Sequence, residues 1–180
     1  MDRKRKRDDG PGPIPDRWLH CPRKAFTLVA NKFLAFKTPL DKKFDSQVGE
    51  EHFFIPQFVF SSAKSEKLKI GLWFDLTKTE RYYNKEVVEQ NGCKYVKLIC
   101  QGHGEAPDKS TVNRFIKICK AFIQQHPKEL IGVHCTHGFN RTGFMIVSYL
   151  VNELDWSVEA AVAEFAKARS VPYVNQLEGC

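Results

Sequence analysis

The decapeptide HCTHGFNRTG, His134 to Gly143, constrains this chain more than any other stretch. The apolar run Leu130 to Val133 lies just upstream, and five residues separate Cys135 from Arg141. A short apolar run closed by a glycine-containing loop reads as a buried strand, and the apolar spacing that follows, Met145, Ile146, Tyr149 and Leu150, reads as a helix. The strand therefore carries a thiol into a tight loop that opens directly into a helix. Such a loop is built to hold an anion. Backbone N–H groups of Thr136 to Arg141 can turn inward as a nest, and the positive end of the helix adds to them.

The residue types in that loop point to nucleophilic chemistry on phosphorus. A cysteine attacks only as thiolate, and its ordinary pKa of about 8.5 falls to roughly 3.5 to 7.5 at a helix N-terminus or beside a cation. Arg141 supplies a planar fork that pairs two phosphate oxygens at once, which a lysine cannot copy. The candidate catalytic pair is thus Cys135 and Arg141, with Thr136, His137, Gly138, Phe139, Asn140 and Arg141 forming the phosphate cradle and His134 supporting Cys135 from behind. In-line attack would give a phosphocysteine that water then hydrolyses, with no metal and no cofactor. Two plainer readings compete. A buried core cysteine is common, but leaves the arginine spacing and the glycines unexplained. A metal site from His134, Cys135 and His137 lacks a second Cys/His pair at ligand spacing.

With 180 residues the chain suits one domain with a full core. Its 28 Lys and Arg against 21 Asp and Glu give a net charge of +7. That favours an acidic partner, whether nucleic acid, phosphorylated peptide or phosphoinositide. Apolar runs fall short of the roughly 18 residues that a membrane span needs, and the N-terminus is charged where a signal peptide turns apolar. A soluble, intracellular protein is expected, without membrane attachment. Its six cysteines are scattered without framework spacing, which suits a reducing compartment.

Residues 1–16 read as a disordered basic tail and 17–180 as the folded domain. The run RKRKR, Arg3 to Arg7, fits a nuclear localisation signal or an RNA-contacting arm, and equally a solvated charge run. Within the domain, strands are expected at Phe33 to Phe36, Ile70 to Leu76, Tyr95 to Cys100 and Leu130 to Val133. Helices are expected from Pro56, over Lys85 to Gln90, Ser110 to Gln125 and Arg141 to Glu153, and from an N-cap at Ser157. The last should bury Val158, Ala161, Val162 and Phe165 and end with Lys167 and Arg169 facing the helix dipole. This alternation predicts an α/β fold whose central, mostly parallel sheet carries helices on both faces.

Ligands of such sheets gather at the strand C-termini. Three loops meet there: 77–84, 101–108 and 136–141. Asp75, at a strand end, is a candidate for positioning or proton transfer, with a purely structural carboxylate as the alternative. Lys78 and Arg81 are candidate substrate contacts. Tyr82 and Tyr83 are more simply core or rim aromatics than base-stacking groups. Glu105 and Asp108 are candidate acids, although Asp108 more simply caps the helix that it precedes.

The pattern HCxxxxxR[ST]G resembles the signature of the cysteine-dependent phosphatases, tyrosine-specific and dual-specificity. The longer string IGVHCTHGFNRTGF, Ile131 to Phe144, is similar to the RNA 5′-triphosphatase domain family of animal-type mRNA capping enzymes. RWLHCP from Arg17, FKTPL from Phe36, FDLTKTERYY from Phe74, GHGEAP from Gly102 and DWSVEAAVAEFAKAR from Asp155 resemble that family in the same order. The resemblance implies a cysteine-phosphatase fold and a metal-independent polynucleotide 5′-triphosphatase that removes the γ-phosphate of nascent mRNA, the first step of capping. It also implies a hydrogen bond from Thr142 to the thiolate, an RNA 5′ end as substrate and nuclear localisation. Protein phosphatases of this chemistry carry a loop aspartate in a WPD setting, which is absent here; a diphosphate leaving group has little need of one. No KxDG motif is present, so a guanylyltransferase domain or protein is expected as a separate partner. After AKAR the family pattern would run through a basic, glycine-containing loop into another helix, whereas this sequence reads SVPYVNQLEGC. The alternatives are a dual-specificity protein phosphatase, a broader RNA 5′-tri- and diphosphatase, and a catalytically weak phosphate- or RNA-binding module.

Overall fold

A computed structural model describes residues 10–100 and 106–170. Four strands, β1 (Phe33–Lys37), β2 (Ile70–Asp75), β3 (Lys94–Lys97) and β4 (Leu130–Cys135), form one sheet in the order β1-β4-β2-β3, every pairing parallel. Five helices accompany them: α1 (Pro56–Ser65), α2 (Glu86–Gln90), α3 (Lys109–Gln125), α4 (Asn140–Leu154) and α5 (Val158–Arg169). β1, β2 and β4 are buried along their whole length. That is why they read as apolar runs without polar alternation.

Helices cover both faces. On one, Phe33 and Phe74 meet Phe115 of α3, and Phe33 meets Tyr149 of α4 edge-on. On the other, Trp73 stacks on Phe60 of α1 and lies against Phe36. Each fully buried side chain of this size contributes about 1.5 to 3 kcal/mol, so the aromatic rings stitching sheet to helices dominate the core.

Helix boundaries follow local chemistry. Pro56 occupies the first turn of α1, where its missing N–H does no harm. Asp108 and Ser157 cap α3 and α5 by accepting from Thr111 N and Ala160 N. Two expectations shift. β3 stops at Lys97 rather than Cys100, because its partner β2 ends at Asp75, leaving Leu98 N to bond the Asp75 carbonyl and Cys100 N that of Leu76. On α5, Val158 and Val162 are exposed, while Ala161, Ala168 and Arg169 are buried. The inward face is rotated because Phe165 of α5 lies against Gly143 of α4; a Cβ at Gly143 would come 2.8 Å from the Phe165 ring.

Residues 10–16, expected within a tail, are held against the domain. Arg81 donates to the Pro11 and Pro13 carbonyls at 2.8 Å each, Ile14 N bonds Gln47 Oε1 at 2.9 Å, and His137 Nε2 lies 2.6 Å from the Asp16 carbonyl. The run Arg3 to Arg7 lies outside the described residues. Among those described, no helix is long and apolar enough to cross a membrane.

Candidate active site

β4 is an inner strand, flanked by β1 and β2, and its last residue is Cys135. Register sets Lys37 of β1 beside Cys135 and Asp75 of β2 beside His134. The chain then turns through Thr136 to Phe139 and enters α4 at Asn140, the strand–loop–helix read from the sequence. Gly138 makes the turn possible. Its φ is +74°, and a Cβ there would overlap the Phe36 carbonyl of β1. Thr38 N pins the loop from the same side by bonding the Thr136 carbonyl at 3.0 Å.

Cys135 is buried, which alone would keep its thiol protonated. Against that stand the Thr142 hydroxyl, the Arg141 guanidinium and the backbone N–H groups of Thr142 and Gly138, which together hold the thiol below its ordinary pKa. Thr142 Oγ1 is fully buried and, among the described residues, has no other hydrogen-bond partner. Arg141 spans the loop, with Nη2 2.8 Å from Thr136 Oγ1 and Nη1 3.3 Å from the Leu76 carbonyl. The fork is thereby aimed across the cradle by both the loop and the end of β2.

Behind the thiol lies a buried polar network. His134 is fully buried, its Nδ1 3.1 Å from the Cys135 carbonyl and its Nε2 2.6 Å from Tyr83 Oη. A carbonyl only accepts, so Nδ1 carries the proton. Burial lowers the imidazole pKa, the Asp75 carboxylate works against that, and Nε2 faces the Tyr83 hydroxyl. Tyr83 in turn accepts from Trp73 Nε1 at 2.9 Å. Asp75 is saturated: Oδ1 takes Thr77 N and Oγ1 at 2.8 and 2.6 Å, and Oδ2 takes Tyr95 Oη and Lys97 Nζ at 2.7 and 3.0 Å. Burial opposes its ionisation, but His134, Lys97 and the hydrogen bonds from Thr77 and Tyr95 hold the carboxyl below its usual range. Asp75 thus has no proton to deliver and supports the network instead.

Other candidates fall elsewhere. Asp108 caps α3 through both carboxylate oxygens, 2.9 Å to Thr111 N and 2.7 Å to Thr111 Oγ1. Glu105 lies outside the described residues. Lys78 is exposed on the loop after β2. Arg81 is not directed at the cradle, because the N-terminal segment fills its fork and its guanidinium lies 4.7 Å from the Tyr82 ring centre. Tyr82 and Tyr83 are buried, as aromatics usually are. His137, Phe139 and Asn140 belong to the loop, the His137 side chain turned toward Asp16.

Two cations are buried where the sequence predicts no burial. Lys37, 1 % exposed, lies 3.5 Å over the Trp18 ring and donates to the Trp18 and Cys21 carbonyls at 2.9 Å each. Burial lowers its pKa to about 8. Arg169, assigned to the helix dipole by sequence, is 1 % exposed and turns inward against the loop. Its place was legible in one respect, since Ala161, Phe165, Ala168 and Arg169 recur at the spacing of a single helix face.

A family model described as dual specificity phosphatase, catalytic domain, matches residues 53–178, which include the entire loop. The chain belongs to that family. Among curated relatives, it is 54% identical over 155 residues to a Danio rerio mRNA-capping enzyme and 53% identical over 156 residues to that of Mus musculus. These alignments cover 86% and 87% of this chain but 26% of each relative, so the chain spans about a quarter of their length. It is also 37% identical to a Caenorhabditis elegans RNA/RNP complex-1-interacting phosphatase homolog, over 88% of this chain and 70% of the relative. Two solved structures share the fold. A kinase associated phosphatase with a serine in place of its catalytic site cysteine superposes with a TM-score of 0.61 at 14% identity, covering 88% of this chain and 85% of the other. PTPMT1 in complex with PI(5)P does so with 0.60 at 15%, covering 79% and 82%.

Proposed function

We propose that this dual specificity phosphatase domain is a metal-independent RNA 5′-triphosphatase acting at the first step of mRNA capping, in the nucleus. The observation that carries the reading is the continuous similarity to curated mRNA-capping enzymes over 155 residues around the loop. The site supplies the chemistry. Cys135 Sγ attacks the γ-phosphorus as the thiolate; the S–P bond forms while the P–O bond to the β-phosphate breaks, and RNA diphosphate leaves as an anion. Water then attacks the phosphocysteine, releasing phosphate and restoring the thiolate, whose departure the Thr142 hydroxyl eases. Arg141 and the loop N–H groups stabilise the charge on the transferring group. A diphosphate leaves without a proton, which agrees with Asp75 being saturated and Asp108 acting as a helix cap. Guanylyl transfer belongs to a separate domain or protein.

The test is phosphate release from 5′-triphosphorylated RNA in the presence of a chelator. Release is expected from the native chain and should be lost, by several orders of magnitude, in Cys135→Ser. Dependence on added Mg²⁺, or full activity of the serine variant, would sink the mechanism. A second reading, hydrolysis continuing from RNA diphosphate to monophosphate or extending to phosphoprotein, is favoured by the similarity to the RNA/RNP complex-1-interacting phosphatase homolog across 70% of that protein. Product analysis of the same reaction, set against a phosphotyrosine peptide, separates the two.

A further inference from the structure

Arg169 is a large charged side chain, 1 % exposed, at the last position of α5. Its side-chain hydrogen bonds go to carbonyls: Nη2 donates to the His137 carbonyl at 3.0 Å and to the Pro22 carbonyl at 3.2 Å. Its guanidinium lies 4.3 Å from the centre of the Phe139 ring, while Nε and Nη1 have no partner among the described residues. Burying an arginine without a carboxylate and with two idle donors is unfavourable on general grounds. What the side chain does must therefore be sought in its contacts. Two of them, His137 and Phe139, flank Gly138 inside the phosphate loop.

The peptide between His137 and Gly138 is the unit being held. In a trans peptide the C=O and the next N–H point in opposite directions. Fixing the His137 oxygen outward, on Arg169, turns the Gly138 N–H inward toward the Cys135 thiol, where it is one of the groups that favour the thiolate. Gly138 has φ +74°, a region in which a glycine peptide can flip at little steric cost. Its other side is bounded by the Phe36 carbonyl of β1, which leaves no room for a side chain but does not itself fix the peptide's orientation. A flip would put the His137 oxygen where a phosphate oxygen must sit and replace a donor with a repelling acceptor.

We propose that Arg169 is a positioning residue that clamps the His137–Gly138 peptide and so keeps the Gly138 N–H aimed into the phosphate cradle. The proposal rests on the reading of this loop as the phosphate site. It also ties α5 to the site, because the packing of Phe165 against Gly143 sets the register at which Arg169 meets the loop.

The test uses the full chain, Arg169→Met, which keeps an extended apolar stem but no donor, and Arg169→Lys, which keeps a donor and a charge. Orthophosphate protection of Cys135 against iodoacetamide is measured by mass spectrometry of the Cys135 peptide, across pH, beside thermal melts by circular dichroism. Folded Arg169→Met should need on the order of tenfold more orthophosphate for half-protection and alkylate along a profile displaced to higher pH, as loss of one preorganised donor implies. Arg169→Lys should recover most of both. Protection and profile in Arg169→Met within twofold of the native chain would overturn the proposal. Should Arg169→Met not fold, Arg169→Lys decides: near-native protection supports the clamp, and a tenfold loss in the folded lysine variant overturns it. If orthophosphate fails to protect even the native chain, the reading of the loop as the phosphate site fails instead.

Discussion

Cys119 of α3 and Cys135 at the end of β4 are both buried thiols in one core, yet their acidities move in opposite directions. Around Cys119 burial acts alone and pushes the thiol well above its ordinary pKa. Cys135 is buried almost as deeply, and there the Thr142 hydroxyl, Arg141 and two backbone N–H groups reverse the outcome. Cys93 and Cys100 repeat the Cys119 case, pushed up by burial to about 12 and about 11. Thiol acidity in this protein therefore follows which donors face the sulfur and not depth alone. The loop has to overcome the desolvation that elsewhere keeps cysteines inert.

That contrast can be broken at its strongest point first. Arg141→Lys preserves a positive charge and removes the fork, so phosphate release should fall by about 10²- to 10³-fold, with little change in thermal melting. Single-turnover and steady-state rates on triphosphorylated RNA give the measurement; a loss under fivefold would mean that charge alone suffices. Thr142→Ala should have a smaller effect with a distinct signature. Without the hydroxyl the Cys135 pKa rises, so the alkylation and activity profiles, which climb as pH rises through that pKa, should both move to higher pH. Breakdown of the phosphocysteine should slow on the order of tenfold, because the departing thiolate loses a donor. Trapped phosphoenzyme in acid-quenched samples reports it. Smallest of all is Cys119→Ala, which removes a buried sulfur that takes no part in chemistry. Stability should drop by about 1 to 2 kcal/mol in urea unfolding while phosphate release stays unchanged.

How much of this could be read from the sequence depended on whether the signal was local. The stretch HCTHGFNRTG carries its strand, turn and helix within a few residues, so the strand–loop–helix that brings Cys135 and Arg141 together was legible before any coordinates. The helix caps at Asp108 and Ser157 were legible for the same reason, each being a side chain that bonds an N–H three residues on. The network behind the thiol was less so. Tyr83 reaches His134 across 51 positions, and Lys97 reaches Asp75 across 22, distances over which spacing says nothing. Arg81 looked like a substrate contact because it sits on a loop at the strand ends. The Pro11 and Pro13 carbonyls fill its fork instead, an arrangement with no sequence signature. Arg169 lies in the last turn of α5 as expected, but its burial had no local signal, since Val158 and Val162 suggested an apolar face that the packing against α4 leaves exposed.

The parallel pairing of β1 with β4 has a consequence for the history of each molecule. Phe33 aligns with Ile131, so the inner strand that bears Cys135 acquires its β1 neighbour only by closing a loop that takes in more than half of the chain. Contacts of such long range form late and slowly. During synthesis the cysteine would leave the ribosome before α5 exists, with no cradle around it and the acidity of any ordinary thiol. An acidified thiol at Cys135 would thus arise only in chains that have already folded.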